Sequence, residues 1–340
     1  MKSTISHASS MNVNISNPGM MRPFIHSDGR AYVINGARMI PVANALLRYE
    51  EWLELDRVVI KAAVDRLVGI ADLISKGLTH NLGNIGLTVS QWDRVSDMTA
   101  ADVSMSGVTK GSQDTPAFDP QSVPVPIVHK DFVLNLRRLE ASRILGEALD
   151  TTAGDLAGRL VAEGSEDILF SGSTVKVGDA VLYGYTNHTA RNTVDMTEQW
   201  TASGKTGAEI LADVQSMLAA ARADHYFGPF TMYIPSEYEG VLDNDFNPGT
   251  SDVRTVRERI MQLAGISEIK VADRLANHNV VLVQMTKDVV DLAIAQDVNT
   301  LQWEVDGGMQ VRFKTMAVWA PRIKSDFSGQ SGIVHLYEIP

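Results

Sequence analysis

Three short stretches of this 340-residue chain hold residue types that could do chemistry. Gly204-Lys205-Thr206 has the ending of a phosphate-cradling loop, in which backbone N–H groups and a lysine surround phosphate oxygens. That loop needs a glycine five positions before Gly204, where Gln199 stands, so the stretch reads as a polar turn ahead of a helix. Asp243-Asn244-Asp245-Phe246-Asn247 begins like a calcium loop, yet Pro248 takes the place of the obligatory glycine and Arg254 that of the bidentate glutamate. Around Gly329-Gln330-Ser331-Gly332 no nucleophile elbow is specified, because Ile333 replaces the closing glycine. The sequon Asn187-His188-Thr189 is idle without a secretory signal. The histidines are scattered, with His7 and His26 the nearest pair, and none has the spacing that aims two imidazoles at one metal. With no cysteine, disulfides, thiolate catalysis and cysteine-held zinc or iron–sulfur sites are excluded. No catalytic, cofactor-binding or metal-binding residue is expected.

Charge narrows the classes further. Lys and Arg number 30 against 41 Asp and Glu, a net charge of −11 that argues against holding nucleic acid by phosphate neutralisation. Arg137, Arg138, Arg143 and Arg159 either face an enclosed polyanion, as lumen-facing basic residues, or lie on a solvated helix face or in salt bridges; spacing serves both readings. Trp303 and Trp319 fall in alternating strands and are expected in the core, whereas Trp92 lies in a thinly apolar segment and is expected at an interface. At 44% hydrophobic, the chain can build one large or two modest domains. No stretch approaches the ~18 apolar residues of a membrane span, and the N-terminus has no apolar signal region, so a soluble, cytoplasmically made protein is expected.

The elements that must position these residues are unequal. Residues 1 to about 45 are rich in Ser, Asn, Met, Pro and Gly, with Lys2, Arg22, Arg30 and Arg38 against Asp28. Such a segment does not order alone and is expected to be tied down by a neighbouring subunit. From Leu46 to about Lys76, Val59, Ala63, Leu67, Ile70 and Ile74 recur at helical spacing, with Gly77 as the stop. Between Thr79 and Gln121 the apolar residues are too thinly spread for a core, and Gly107 to Pro120 has no apolar period. This predicts a projecting two-stranded arm whose return strand is marked by Pro124 and Pro126. Residues two apart in a strand turn their N–H groups the same way, so both prolines strip donors from one edge and leave only the other for pairing.

The return strand is expected to run on through Phe132, Leu134 and Leu136 into helical composition that lasts, with one interruption near Asp150, to Gly172. Thr152 is its expected second N-cap, with Asp155 three residues on, and Ala153, Ala157, Leu160, Val161, Gly164 and Ile168 are the expected buried stripe. Beyond Gly172 the pattern is α/β, with helices over about Gly207–Ala223 and Val253–Leu263 and strands at Phe230–Ile234, Ile269–Val271, Val280–Gln284 and Val289–Ile294. A hairpin follows, Leu301–Val305 and Met309–Val318, turned at Asp306-Gly307-Gly308. An arm that cannot bury its own faces needs another molecule. Arg22, Arg30, Arg38, Trp92, Val95, Met98, Val103, Met105, Pro124 and Pro126 are the candidate inter-subunit contacts.

The helix start Tyr49-Glu50-Glu51-Trp52-Leu53-Glu54-Leu55-Asp56, the strand Phe132-Val133-Leu134-Asn135-Leu136 and the helix end Glu166-Asp167-Ile168-Leu169-Phe170-Ser171-Gly172 resemble segments of encapsulin shell proteins. Gly228-Pro229-Phe230-Thr231-Met232-Tyr233-Ile234, Val280-Val281-Leu282-Val283 and Ala295-Gln296-Asp297-Val298 are similar to that family's apical domain. Encapsulins share the HK97-like fold with the major capsid proteins of tailed bacteriophages. The resemblance, in order over most of residues 49 to 320, implies an α+β protein built from an N-terminal arm (1–48), an N-terminal helix (49–79) and a projecting E-loop (80–130). A peripheral domain with a long spine helix (131–198), an apical domain (199–297), and return strands with the C-terminus (298–340) complete it. It implies a structural protein rather than an enzyme, joining copies of itself as hexamers and pentamers of an icosahedral shell, with portal, scaffold or decoration proteins as further partners. The N-terminal extension and the long arm exceed those of a minimal encapsulin. They favour the major capsid protein of a tailed bacteriophage, enclosing double-stranded DNA without sequence-specific binding in a virion assembled in the host cytoplasm. The acidic balance suits a shell filled by a separate motor. The alternatives are an encapsulin nanocompartment around protein cargo and an α/β enzyme with a pocket near Tyr183–Tyr185.

Overall fold

The structure, a computed structural model, describes the chain apart from residues 1–22, 27, 29, 36–37, 42–46, 109–110, 112, 146–149, 248–253, 307–308 and 339–340. Arg22, the expected helix start at Val253, Pro248 and the glycines of the Asp306-Gly307-Gly308 turn lie outside the described residues, as does the side chain of Arg38. Strands β1 (Pro23–Ile25), β2 (Ala31–Asn35) and β3 (Arg38–Pro41) form a small antiparallel sheet ahead of helix α1 (Tyr49–Val64). Phe24 is buried with its ring 5.2 Å from that of Tyr49, and the Ile25 N–H donates to the Leu47 carbonyl (2.8 Å). This part of the N-terminal segment therefore packs on its own subunit.

Helix α1 turns Trp52, Leu55, Val59 and Ala63 inward at three- and four-residue spacing. The periodicity predicts one helix to Lys76, but the structure breaks it after Val64 and restarts it as α2 (Gly69–Ser75). The cause is tertiary. The Glu166 carboxylate accepts the N–H groups of Val68 (3.0 Å), Gly69 (3.1 Å) and Ile70 (2.9 Å), donors that a continuous helix would spend on its own carbonyls.

After β4 (Thr79–Asn81) the chain leaves the body as the hairpin of β5 (Val89–Val95) and β6 (Phe118–Pro124), a separate two-stranded sheet. The single return strand expected through Leu136 is two strands: β6 stops at Pro124, and β7 (Val128–Asn135) joins another sheet after Pro126, which has no N–H for a ladder. Helices α3 (Leu136–Leu145) and α4 (Thr152–Ser171) follow. Thr152 is the first helical residue of α4 rather than its N-cap, and its N–H donates to the Asp150 carboxylate (3.1 Å). Of the expected stripe on α4, Ala157 and Val161 are buried, but the buried face is rotated to include Gly154, Gly158, Ala162, Ser165 and Leu169 and to leave Leu160 outside. Gly158 explains the rotation, since a Cβ there would lie 2.5 Å from the Val59 carbonyl oxygen. Only the glycine face lets the backbones of α1 and α4 approach so closely. Gly172 ends α4 at a φ of 70°, where a Cβ would meet the Leu182 carbonyl oxygen at 2.6 Å.

Short strands β8 (Lys176–Val177) and β9 (Ala180–Val181) lead to β10 (Asn192–Asp195) and helix α5 (Gly207–Ala223). Strand β11 (Phe230–Ile234), helix α6 (Val256–Met261), and strands β12 (Ile266–Val271) and β13 (Val280–Gln284) come next. Strands β14 (Val290–Val305), β15 (Gln310–Ile323) and β16 (Ile333–Tyr337) close the chain. The two strands expected at Val289–Ile294 and Leu301–Val305 are one, β14, which carries register shifts between Ile294 and Asn299.

The peripheral sheet has the order β4-β14-β15-β7, and the apical sheet β10-β16-β13-β11-β12. The peripheral core stacks Phe132 on Phe313 (5.0 Å between ring centroids) and sets Trp52 edge-on to Phe313 (5.9 Å). In the apical sheet, every residue of β11 and β13 is buried, which is why both read as unbroken apolar runs. Strands β10 and β16 join that sheet from outside the bounds 199–297, so the C-terminal strand is apical rather than peripheral.

The two sheets meet around α2. Tyr233 Oη donates to Asp72 Oδ2 (2.8 Å), Lys270 pairs with Asp72, and Lys76 bridges to Glu268 (3.0 Å) and Thr231 (2.8 Å). Phe170 packs edge-on to Tyr233 (5.3 Å).

Two expected outcomes follow from these contacts. Gly158→Ala gains about 1 kcal/mol of helix propensity but loses about 1–3 kcal/mol to overpacking against a backbone atom that cannot rotate away, so its urea midpoint falls. Gly164→Ala, whose new methyl meets only the Val128 side chain at 3.2 Å, keeps or raises the midpoint. Equal shifts would show that Gly158 does not set the helix approach.

The second outcome is a pH dependence. Burial pushes the Glu166 carboxyl up from 4.5 to about 7, against three amides that favour its charged form. The folded value lies above the unfolded one, so this group's contribution to stability is fully present below about 4.5 and is lost as pH rises through about 7. Wild type should therefore lose stability relative to Glu166→Gln across that window in chemical unfolding, with the difference flat on either side; a pH-independent difference would contradict it.

Candidate inter-subunit surface

The arm begins at a root built from the body's own packing. Val123 and Val125 are buried against Leu182, Ala293, Val318 and Ala320 in an apolar cluster that Trp92 joins from β5. The Val125 N–H donates to the Thr88 carbonyl (2.9 Å), so odd-numbered residues of the return strand turn their N–H groups toward β5. Pro120, Pro124 and Pro126 are on the other parity and remove donors from the outer edge, as the spacing of the latter two predicts; Pro124 is itself buried. Beyond the root the hairpin continues with Arg94 opposite Asp119 and Val95 opposite Phe118.

Past Val95 the arm's large apolar side chains stand in solvent among the described residues. Val103 and Met105 are 99% and 107% exposed, and Val95, Met98, Val108 and Phe118 also present large exposed apolar surfaces. Val108 and Phe118 were not among the expected contacts, although both are apolar residues in the same polar stretch.

The charged candidates are dispersed. Arg30 is exposed in the loop before β2, where its N–H donates to Asp28 (3.0 Å). On α3, Arg137 is exposed and Arg138 lies 3.6 Å from Asp150. Arg143 is held within the subunit by Glu51 (2.8 and 2.7 Å) and Glu140 (2.6 Å). Burial opposes the charge of Glu51, but the Arg143 guanidinium and the Arg48 N–H outweigh it and hold the carboxyl below its ordinary range. Arg159 lies 3.6 Å from Glu163 on α4. Three of the four thus lie within 4 Å of a carboxylate of their own subunit, and Arg137 and Arg138 are the two that stand exposed on α3.

The stretches tested for chemistry have structural roles. The Thr206 hydroxyl accepts the Glu209 N–H (3.3 Å) and Glu209 accepts the Thr206 N–H (2.7 Å), a reciprocal cap on α5, while Lys205 is paired with Asp213 (3.0 Å). Asp243 is paired with Arg257 (2.9 Å). Tyr185 is fully buried against Phe170 and Tyr233. Trp319 is in the core as expected, but Trp303, also expected there, is exposed near the end of β14. His188 and His335 are pushed down to about 4, first by burial and then by the Arg191 charge, which keeps them neutral structural groups. Among the described residues no group of three or more His, Asp or Glu could hold a metal, and no helix is long and apolar enough to cross a membrane.

Sequence reasoning missed the ion pair beneath the arm root. Arg322 makes a two-point contact with Asp291 (2.5 and 2.6 Å), and Lys324 adds a third bond to Asp291 (2.8 Å). Burial opposes the charge on Asp291, and the two cations outweigh it, holding the carboxyl below its ordinary range. No short-range signal marks this pair, since its members come from β14 and β15.

With this geometry the chain can be placed among known proteins. The family of unknown function DUF6260 matches residues 41–336. The chain is 27% identical over 262 residues to the type 1 encapsulin shell protein EncA of Myxococcus xanthus (strain DK1622), covering 74% of this chain and 81% of that one. Its fold is similar to that of the virus-like particle from Pyrococcus furiosus, with a TM-score of 0.60 at 16% identity over 85% of this chain and 98% of the other. The capsid of Myoviridae phage XM1 gives a TM-score of 0.60 at 12% identity over 80% and 92%. These are shell and capsid proteins, not enzymes. The α+β architecture, the arm carrying exposed apolar side chains and the sequence match agree: the chain has the HK97-like fold of shell proteins and belongs to the family of unknown function DUF6260.

Proposed function

We propose that this chain is the major capsid protein of a tailed bacteriophage, self-assembling as hexamers and pentamers into an icosahedral shell around double-stranded DNA. The observation that carries the self-assembly is the arm beyond Val95, whose apolar side chains are exposed among the described residues and would find cover on a neighbouring copy. The net charge of −11 supports a shell that does not adhere to its contents, filled by a separate motor. The long arm supports a capsid that withstands packed DNA, because its exposed apolar tip adds contact between subunits. Exposed Arg137 and Arg138 are proposed to face the lumen without reading sequence. A second reading, an encapsulin around protein cargo, is favoured by the 27% identity to an encapsulin shell protein.

Replacing both Val103 and Met105 by Asp tests the assembly surface. Fully exposed positions change subunit stability by no more than about 0.5 kcal/mol, so the thermal midpoint stays while sedimentation shows shells lost to subunits. Shells forming in normal yield would mean that the arm tip does not dock on a neighbour.

Contents decide between the two readings. Shells isolated from the native source should hold double-stranded DNA that nuclease reaches only after the shell is broken. Shells holding one folded protein and no DNA would reverse the assignment to an encapsulin.

A further inference from the structure

The arm leaves the body over a cavity of about 420 Å³, lined on the arm side by Trp92, Arg94 and Gln121 and on the body side by Tyr183, His188 and Ile323. Close-packed side chains resist displacement because any shift opens a void, and the root has that resistance at Val123 and Val125, but beside the cavity the arm stands over open space and lacks it. There its angle is held by specific bonds, which two arginines supply from opposite sides.

Arg94, on β5, bonds Asp119 across the hairpin through Nε (3.1 Å) and Nη2, and its Nη1 donates to Ser325 Oγ (3.2 Å) and to the Asp326 carbonyl (3.3 Å). Its guanidinium also lies 5.8 Å from the Phe327 ring centroid. Arg322, on β15, is locked by its two bonds to Asp291 and reaches up to the arm, where it lies 5.6 Å from the Trp92 ring centroid and 3.4 Å from Ser90 Oγ. The loop that Arg94 grips links peripheral β15 to apical β16. Gln330 of that loop donates to Asp224 (2.9 Å) at the end of α5, and the Lys324 N–H donates to the Val289 carbonyl (2.8 Å), so the loop is fixed to both domains.

We propose that Arg94 and Arg322 form a latch that sets the angle of the arm against both domains and, through it, the curvature of the shell that subunits build. The curvature rests on the shell-forming reading above; the latch itself does not. These are positioning residues: neither needs to touch the neighbouring subunit. A stiff arm narrows the range of angles at which each subunit holds the next, and a narrow range of angles gives one diameter.

The chain has no cysteine, so Ala101→Cys on the arm and Lys61→Cys on α1 accept spin labels uniquely. Pulsed electron resonance on unassembled full-length subunits should give one narrow distance distribution. Arg94→Gln should at least double its width while circular dichroism and the thermal midpoint report a folded body. Arg322→Lys keeps a charge on Asp291 but loses the planar fork and the face over Trp92, and should broaden the distribution without leaving a buried carboxylate unpaired. Unchanged width in Arg94→Gln overturns the latch. If both variants broaden the distribution and their shells, in electron micrographs, vary in diameter where wild type gives one, the curvature role stands; uniform shells of wild-type diameter overturn that role. Wild type forming no shells at all would defeat the shell-forming reading, while the label distances would still decide the latch.

Discussion

A carboxylate taken out of water among three backbone amides is the contact on which the rest of this molecule is arranged. Glu166 sits near the end of the long helix α4, and the amides it satisfies belong to the turn into α2, almost a hundred residues earlier in the chain. Without it, Val68, Gly69 and Ile70 would hold buried N–H groups with no acceptor, which is expensive in a protein interior. With it, α2 is pinned against α4 and presents Asp72 to Tyr233 and Lys270 of the apical sheet. The peripheral and apical domains are therefore joined through a seven-residue helix whose start is capped by another helix.

That joint gives the body two different kinds of strength. The peripheral core is apolar and close-packed, with Trp52 and Phe132 both packed on Phe313 and α1 touching α4 backbone at Gly158. The junction is polar and directional, built from bonds whose partners must be correctly placed. Packing resists compression in every direction, whereas charge-assisted bonds specify one relative placement of two domains. A subunit that must present the same shape in every copy of a shell uses both.

The arm departs from this economy. Its root is anchored in the core by Val123 and Val125, yet its outer part carries methionine, valine and phenylalanine side chains into solvent. A monomeric protein would not keep such a surface. The prolines on the outer edge of β6 add a second device, because an edge stripped of donors cannot recruit a stray strand and leaves the arm to dock by its side chains.

The elements legible in the sequence were those whose signals are local. Helical spacing in α1 and α5, the apolar runs of β11 and β13, the break near Asp150 and the donor-stripping prolines all act over a few residues, and each is where its pattern places it. The exposed tip was legible for the same reason, since a thinly apolar stretch without a period has no face to bury. What only tertiary structure decided depended on contacts between distant segments. The helix expected to run to Lys76 is cut by a carboxylate from residue 166, and the stripe on α4 is rotated by the close approach of α1 at Gly158. The C-terminal strand enters the apical sheet between β10 and β13, and Arg322 meets both Asp291 and Trp92. Periodicity reports which face of an element is apolar. It carries no information about which distant atom will satisfy a buried donor, and in this chain those pairings set where helices stop, how the two domains join and how the arm is held.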